Sequence, residues 1–124
     1  AADFGSTIAG GQQNTANGFI STIAGGLGNT AGGQLSAIAG GMANITSGNR
    51  AFVGGGSINR AAGDYGVAVG GNRNWATGDY AAVGGGDNNV AGAAHSTVGG
   101  GLFNTAAGPY SSVPGGVSNF ALGE

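Results

Sequence analysis

His95 is the one side chain in this sequence of the type that most often serves as a general acid or base, and the chain has no cysteine. Thiol catalysis, disulfides and Cys-ligated zinc are thereby excluded. A lone imidazole needs partners, and the acids are few: Asp3, Asp64, Asp79, Asp87 and Glu124. Asp64 and Asp79 lie fifteen residues apart, the period of the whole chain. On successive turns of a coil their carboxylates would sit one strand spacing apart, about 4.8 Å. A pair that close could share a proton or hold a cation. A calcium-binding roll, however, needs an Asp in every repeat, so Asp64 and Asp79 read as residues of exposed turns, where Asp is favoured. His95 also has a plainer role. It falls in one column with Tyr80 and Tyr110 and reads as a further planar ring stacked between them. Gly84-Gly85-Gly86 is no phosphate loop, because no helical pattern follows and the chain has no lysine. With neither a catalytic set nor a metal set, the sequence reads as a non-enzyme that needs no cofactor.

The chemistry that remains is recognition. Arg60 and Trp75 are fifteen residues apart, and Arg73 stands two residues before Trp75. On adjacent turns Arg60 and Trp75 are close enough for a cation–π contact, and Trp and Arg are favoured at binding hot spots. Arg60, Arg73 and Trp75 are therefore the candidate ligand-binding patch. Arg50 precedes Tyr65 in the column of His95.

A fifteen-residue coil must position these residues. Asn14, Asn29, Asn44, Asn59, Asn74, Asn89, Asn104 and Asn119 recur every fifteen residues without a slip, the signature of stacked turns without insertions. Each repeat carries two short segments of period two, the strand pattern. In the first, Ser21, Ile23 and Gly25 share a face. The Ile23 column is mostly Ile or Val and reads as core. In the second, Asn29 shares its parity with Ala31, so the asparagines point inward and form a structural ladder. Their amides, both donor and acceptor, would satisfy backbone at the corners. Those corners are the paired glycines, such as Gly25-Gly26, and a further Gly such as Gly33, replaced in one coil by Ala93. Glycine fits where φ is positive or backbones approach closely. The expected fold is all-β: a parallel β-roll, or solenoid, of eight 15-residue coils with two short strands per coil, forming a single repeat domain over 1–124.

Outside the core columns the two faces differ. Beside Ile23 the outward residues, such as Thr22 and Ala24, are small or apolar and uncharged. Beside Ala31 they are irregular and include Arg60 and Trp75. The first face is expected to be buried between protomers and the second to face solvent, since a coil this narrow buries little by itself. Composition agrees. Charged residues are only 6% of the chain, far below a disordered sequence, so much of the surface is expected to be covered. With net charge −2 and three arginines, nucleic acid and anionic membranes are poor partners, and no apolar run is long enough to span a bilayer. Beginning at Ala1 without Met or leader, the chain reads as a mature form or a fragment of a longer one.

The order Ala16-x-Gly18-x-x-Ser21-x-Ile23-x-Gly25, seen again as Ala76-x-Gly78-x-x-Ala81-x-Val83-x-Gly85, resembles the YadA-like head repeat of trimeric autotransporter adhesins. The resemblance covers nearly the whole chain, although the Gly-Gly-x-x-Asn corner makes this repeat longer than the family's commoner one. It implies a left-handed parallel β-roll, a homotrimer, and a non-enzymatic adhesin head or display domain at a bacterial cell surface. Its partners would be host extracellular-matrix or surface molecules, and the anchor would lie in regions absent from this sequence. Two other readings use the same roll: a structural segment of an extracellular filament or phage fibre, and an ice-binding solenoid. Ice binding needs a flat row of outward Thr, and the row that starts at Thr15 and Thr30 breaks at Ile45, Arg60, Trp75 and Val90.

Overall fold

Two-residue strands at fifteen-residue intervals leave no room for a helix, and none forms among the described residues. The computed structural model describes residues 4–123, so Asp3 and Glu124 lie outside the described residues. Sixteen strands run from β1 (Thr7–Ile8) and β2 (Thr15–Ala16) to Phe120–Ala121, two per coil. The first strands of all coils form one eight-stranded sheet and the second strands another. Both sheets are parallel with a register shift of one repeat, pairing Ile8 with Ile23 and Ala16 with Ala31. The molecule is a β-solenoid of about eight turns, with its coils in unbroken register.

Side chains alternate as period two requires. Ile23, Ile38, Val53, Val83 and Val98 are buried from the first sheet, and Ala31, Ala61, Ala76, Ala91 and Ala106 from the second. A β-branched residue faces an alanine, which lets the two sheets lie close together. The apolar interior falls into two clusters, one running from Ala16 to Ala68 and the next starting at Ala76. The break coincides with Ala68, which replaces the larger Ile or Val of its column. Thr46 takes the place of an alanine, and its hydroxyl is accommodated by donating to Ser36 Oγ at 2.9 Å.

The asparagine ladder is buried from Asn29 to Asn104, and its amides are fully used. Asn74 Nδ2 donates to the carbonyl of Gly70 in its own coil at 2.8 Å and to that of Gly86 in the next at 2.8 Å. Its Oδ1 accepts from the backbone N–H of Asn89 at 3.1 Å. Each asparagine from Asn14 to Asn104 thus ties two corners together and hands its oxygen to the next member of the column.

In the strands alternate N–H groups point along the stack: Thr22, Ala24 and Thr30 donate to Ser36, Ile38 and Asn44 of the following coil. At two corner columns the N–H groups point the other way: Leu35 and Ala43 donate to Phe19 and Leu27 of the preceding coil. That direction is set by the left-handed backbone conformation. Leu35, Ala43, Arg50, Ile58, Tyr65 and Arg73 all have φ between 53° and 58°. Such values cost about 1–2 kcal/mol for an L-residue. Here each one directs an N–H to an acceptor that it would otherwise miss.

The glycine corners need correction in one respect. Apart from Gly85, whose φ is +158°, only the second residue of each pair has the expected constraints. Gly71 has φ +84°, and a Cβ there would collide with the carbonyl oxygen of Gly86. A Cβ on Gly70 would meet nothing within 4 Å, and the structure does not explain why that position is always glycine. The other corner glycines serve close approach: a Cβ on Gly63 would collide with the carbonyl of Gly78. Ala93, the exception, is accommodated by different bonding. Gly63 and Gly78 donate their N–H groups to Ala76 and Ala91 of the next coil, whereas the Ala93 N–H turns to Ser96 Oγ at 3.2 Å.

Ser21 and Ser111 each bury a hydroxyl with no hydrogen-bond partner. The same column holds buried Ala51 and Ala81. A buried unsatisfied hydroxyl costs about 1–3 kcal/mol. Ser21→Ala should therefore stabilise the protein by about 1 kcal/mol, read as a higher urea midpoint with an unchanged slope.

Candidate functional surface

The outer face of the second sheet carries the predicted patch. Arg60 and Trp75 are direct register partners on adjacent strands, and both are exposed, Trp75 at 44%. The predicted cation–π contact between them does not form. The described residues make that contact elsewhere: the Arg50 guanidinium lies 5.5 Å from the Tyr65 ring centroid and donates from Nη1 to the Tyr65 hydroxyl at 3.1 Å. Register brings two residues side by side, but rotamers decide whether a guanidinium lies on a ring.

Arg73 does join Trp75. With Asn88 and Val90, these two residues line a shallow groove of about 140 Å³. Arg73 and Asn88 sit on the left-handed corner, with φ 53° and 56°. Their backbone N–H groups are fixed to the carbonyls of Ser57 at 3.0 Å and Asn72 at 2.9 Å. The groove therefore rests on rigid backbone. Asn88 and Val90 were not singled out from the sequence; their positions one coil after Arg73 and Trp75 were the available signal. A larger depression, about 340 Å³, is lined by Val113, Asn119 and other residues of the eighth coil. It is the interior of a coil seen end-on, and in the coils before it the next turn covers the equivalent residues.

A second surface feature runs along the corner that His95 occupies. Tyr65, Tyr80, His95 and Tyr110 stack face to face, with centroid separations of 4.8, 4.9 and 4.8 Å and interplanar angles of 4°, 3° and 1°. His95 is a rung of this ladder, as its column predicted. The carboxylates beside it are also occupied. Asp79 Oδ1 accepts from the Asp64 N–H at 2.9 Å, and Asp64 Oδ1 accepts from the Asn49 N–H at 2.8 Å. They cap backbone donors one coil away, the role of Asp in a turn. No cluster of three or more potential metal ligands exists among the described residues.

The first sheet presents a different surface. Its outward columns, which contain Thr22 and Ala24, Phe52, Val67 and Val69, carry no charge, and Phe52 and Val69 are 38% and 53% exposed. Among the described residues no helix is long and apolar enough to cross a membrane. No family model matches the chain, and neither does any curated protein.

Proposed function

We propose that this solenoid is a non-enzymatic adhesin head or display domain. In this reading it works outside the cell as a homotrimer, with the first sheets packed together and the second sheets turned outward. The observation that carries the reading is the contrast between the two faces. One is long and free of charge, and it leaves Phe52 and Val69 in water. The other holds Arg60, Arg73 and Trp75 on irregular neighbours. A face of the first kind gains from burial against copies of itself; a face of the second kind suits recognition. Rigid stacking would hold that patch far from an anchor at little entropic cost. The partners would be host matrix or cell-surface molecules.

The test is the mass of the protein in solution together with its attachment to matrix-coated or cell surfaces. A trimer is expected. Arg60→Ala combined with Trp75→Ala should keep the trimer and the circular dichroism of the parent while attachment falls about tenfold or more. A monomer would refute the packing. Attachment unchanged in the double variant would refute the patch. A monomer that depresses the freezing point without lowering the melting point would point to ice binding instead.

A further inference from the structure

We infer that the groove between Arg73, Trp75, Asn88 and Val90 binds a carboxylated sugar ring, as in a uronic acid. The inference rests on the reading of this face as a recognition surface and gives it a ligand class.

Three features point to this chemistry. The Trp75 indole is open to solvent at 44% and forms one wall of the groove. A pyranose has a face made of C–H bonds that packs on such a ring. Next to it, the guanidinium groups of Arg73 and Arg60 have no hydrogen bond or ion pair among the described residues. Asp87 is the acid next to Asn88 in the chain. Its Oδ1 is taken by the amides of Asn88 at 2.7 Å and Asn72 at 3.1 Å, which leaves the arginines available. A carboxylate is the group that a guanidinium recognises with two parallel bonds. Finally, Asn88 spends its Nδ2 on Asp87, so its Oδ1 remains to accept a bond from a sugar hydroxyl. One ring thus meets an aromatic wall, a cationic group and a polar acceptor within a single small groove.

Other anions fit less well. A peptide would need free backbone for strand addition, but the strand N–H groups here are used: Arg60 donates to Asn74 and Trp75 to Asn89, each at 2.9 Å. A nucleic acid would need a basic stripe, and the whole chain has three arginines and no lysine.

Trp75 is the only tryptophan, so its fluorescence reports on the groove alone. Oligogalacturonate and oligoglucuronate should each be titrated against the intact chain. A neutral oligosaccharide of the same length and an oligoglutamate peptide serve as comparators. A saturable change is expected with at least one uronate, with affinity about tenfold or more above both comparators. Arg73→Gln should weaken it by a similar factor. Calorimetry should find no binding to Trp75→Ala, with circular dichroism of both variants unchanged. No saturable response to either uronate would overturn the inference. Equal affinity for the neutral sugar would overturn the role of the arginines, and equal affinity for oligoglutamate the role of the ring. If the uronates fail while the Arg60→Ala/Trp75→Ala variant still loses attachment, the sugar assignment falls and the patch stands. If attachment too is unchanged, both fall.

Discussion

Asn74→Asp is expected to cost roughly 3–5 kcal/mol near neutral pH, the range for an uncompensated charge in a protein interior. The substitution conserves shape and changes one group. Nδ2 of Asn74 stands 2.8 Å from two carbonyl oxygens, Gly70 and Gly86, and donates to both. A carboxylate oxygen in its place would face two acceptors without a proton, inside a fully buried position. Folding would therefore favour the protonated acid and raise its pKa above the unfolded value of about 3.9. The folded state then binds more protons than the unfolded state, so stability falls as pH rises through the interval between the two pKa values. The gap in urea midpoint between parent and variant should narrow at pH 4 and widen at pH 7. A gap that does not change with pH would contradict a buried carboxylate. Asn119→Asp is the control. Asn119 is exposed; its Nδ2 donates to the carbonyl of Gly115 in its own coil at 3.0 Å and to Oδ1 of Asn104 in the preceding coil at 3.1 Å, and to no carbonyl of a following coil. The same substitution there should cost about 1 kcal/mol. Equal losses at the two sites would show that burial and the bond to the following coil are not what the ladder contributes.

Gly71→Ala should be nearly as damaging, at roughly 3–5 kcal/mol, and should lower the melting temperature by about 10–20 °C. Its φ is +84°, and the new Cβ would run into backbone of the next coil while standing 2.6 Å from Asn74 Nδ2. Backbone cannot yield as a flexible side chain does, so the coils must part or the Asn74 amide must turn away. Gly70→Ala, one residue earlier, should change stability by no more than about 0.5 kcal/mol, because the Cβ enters open space and alanine restricts the unfolded chain. Thermal melts of the two variants decide the matter. Comparable destabilisation would mean that the corner requires both glycines.

That contrast also marks where the sequence stops being informative. Periodicity determines which residues share a column and which way each column points. Coil length, both strands, the inward asparagines and the stacked position of His95 were legible for that reason. Conformation within a column is a different matter. Ile58, Tyr65 and Arg73 share a left-handed backbone yet have no residue type in common, because the coil's need to send an N–H backward sets φ there. Gly70 misleads in the opposite sense, an invariant glycine with no strained angle. At the candidate site the register of Arg60 with Trp75 was readable. The partner that the guanidinium chooses was not, since side-chain torsions leave no trace in spacing. Asn88 and Val90, which complete the groove beside Arg73 and Trp75, come from the next coil, and only the three-dimensional stack shows that they reach it.

In a parallel ladder the N–H groups of a strand alternate between its two neighbours. At the corner bridge, for example, Gln12 donates to Gly26 of the following coil and Gly28 donates back to Gln12. A cut across the roll at any coil therefore leaves both donors and acceptors on each side, the open edge from which a sheet can grow. All pairing within the roll is parallel. Two rolls continue both sheets in parallel only when the last coil of one meets the first coil of the next. Any fibre grown in that way would have distinct leading and trailing tips.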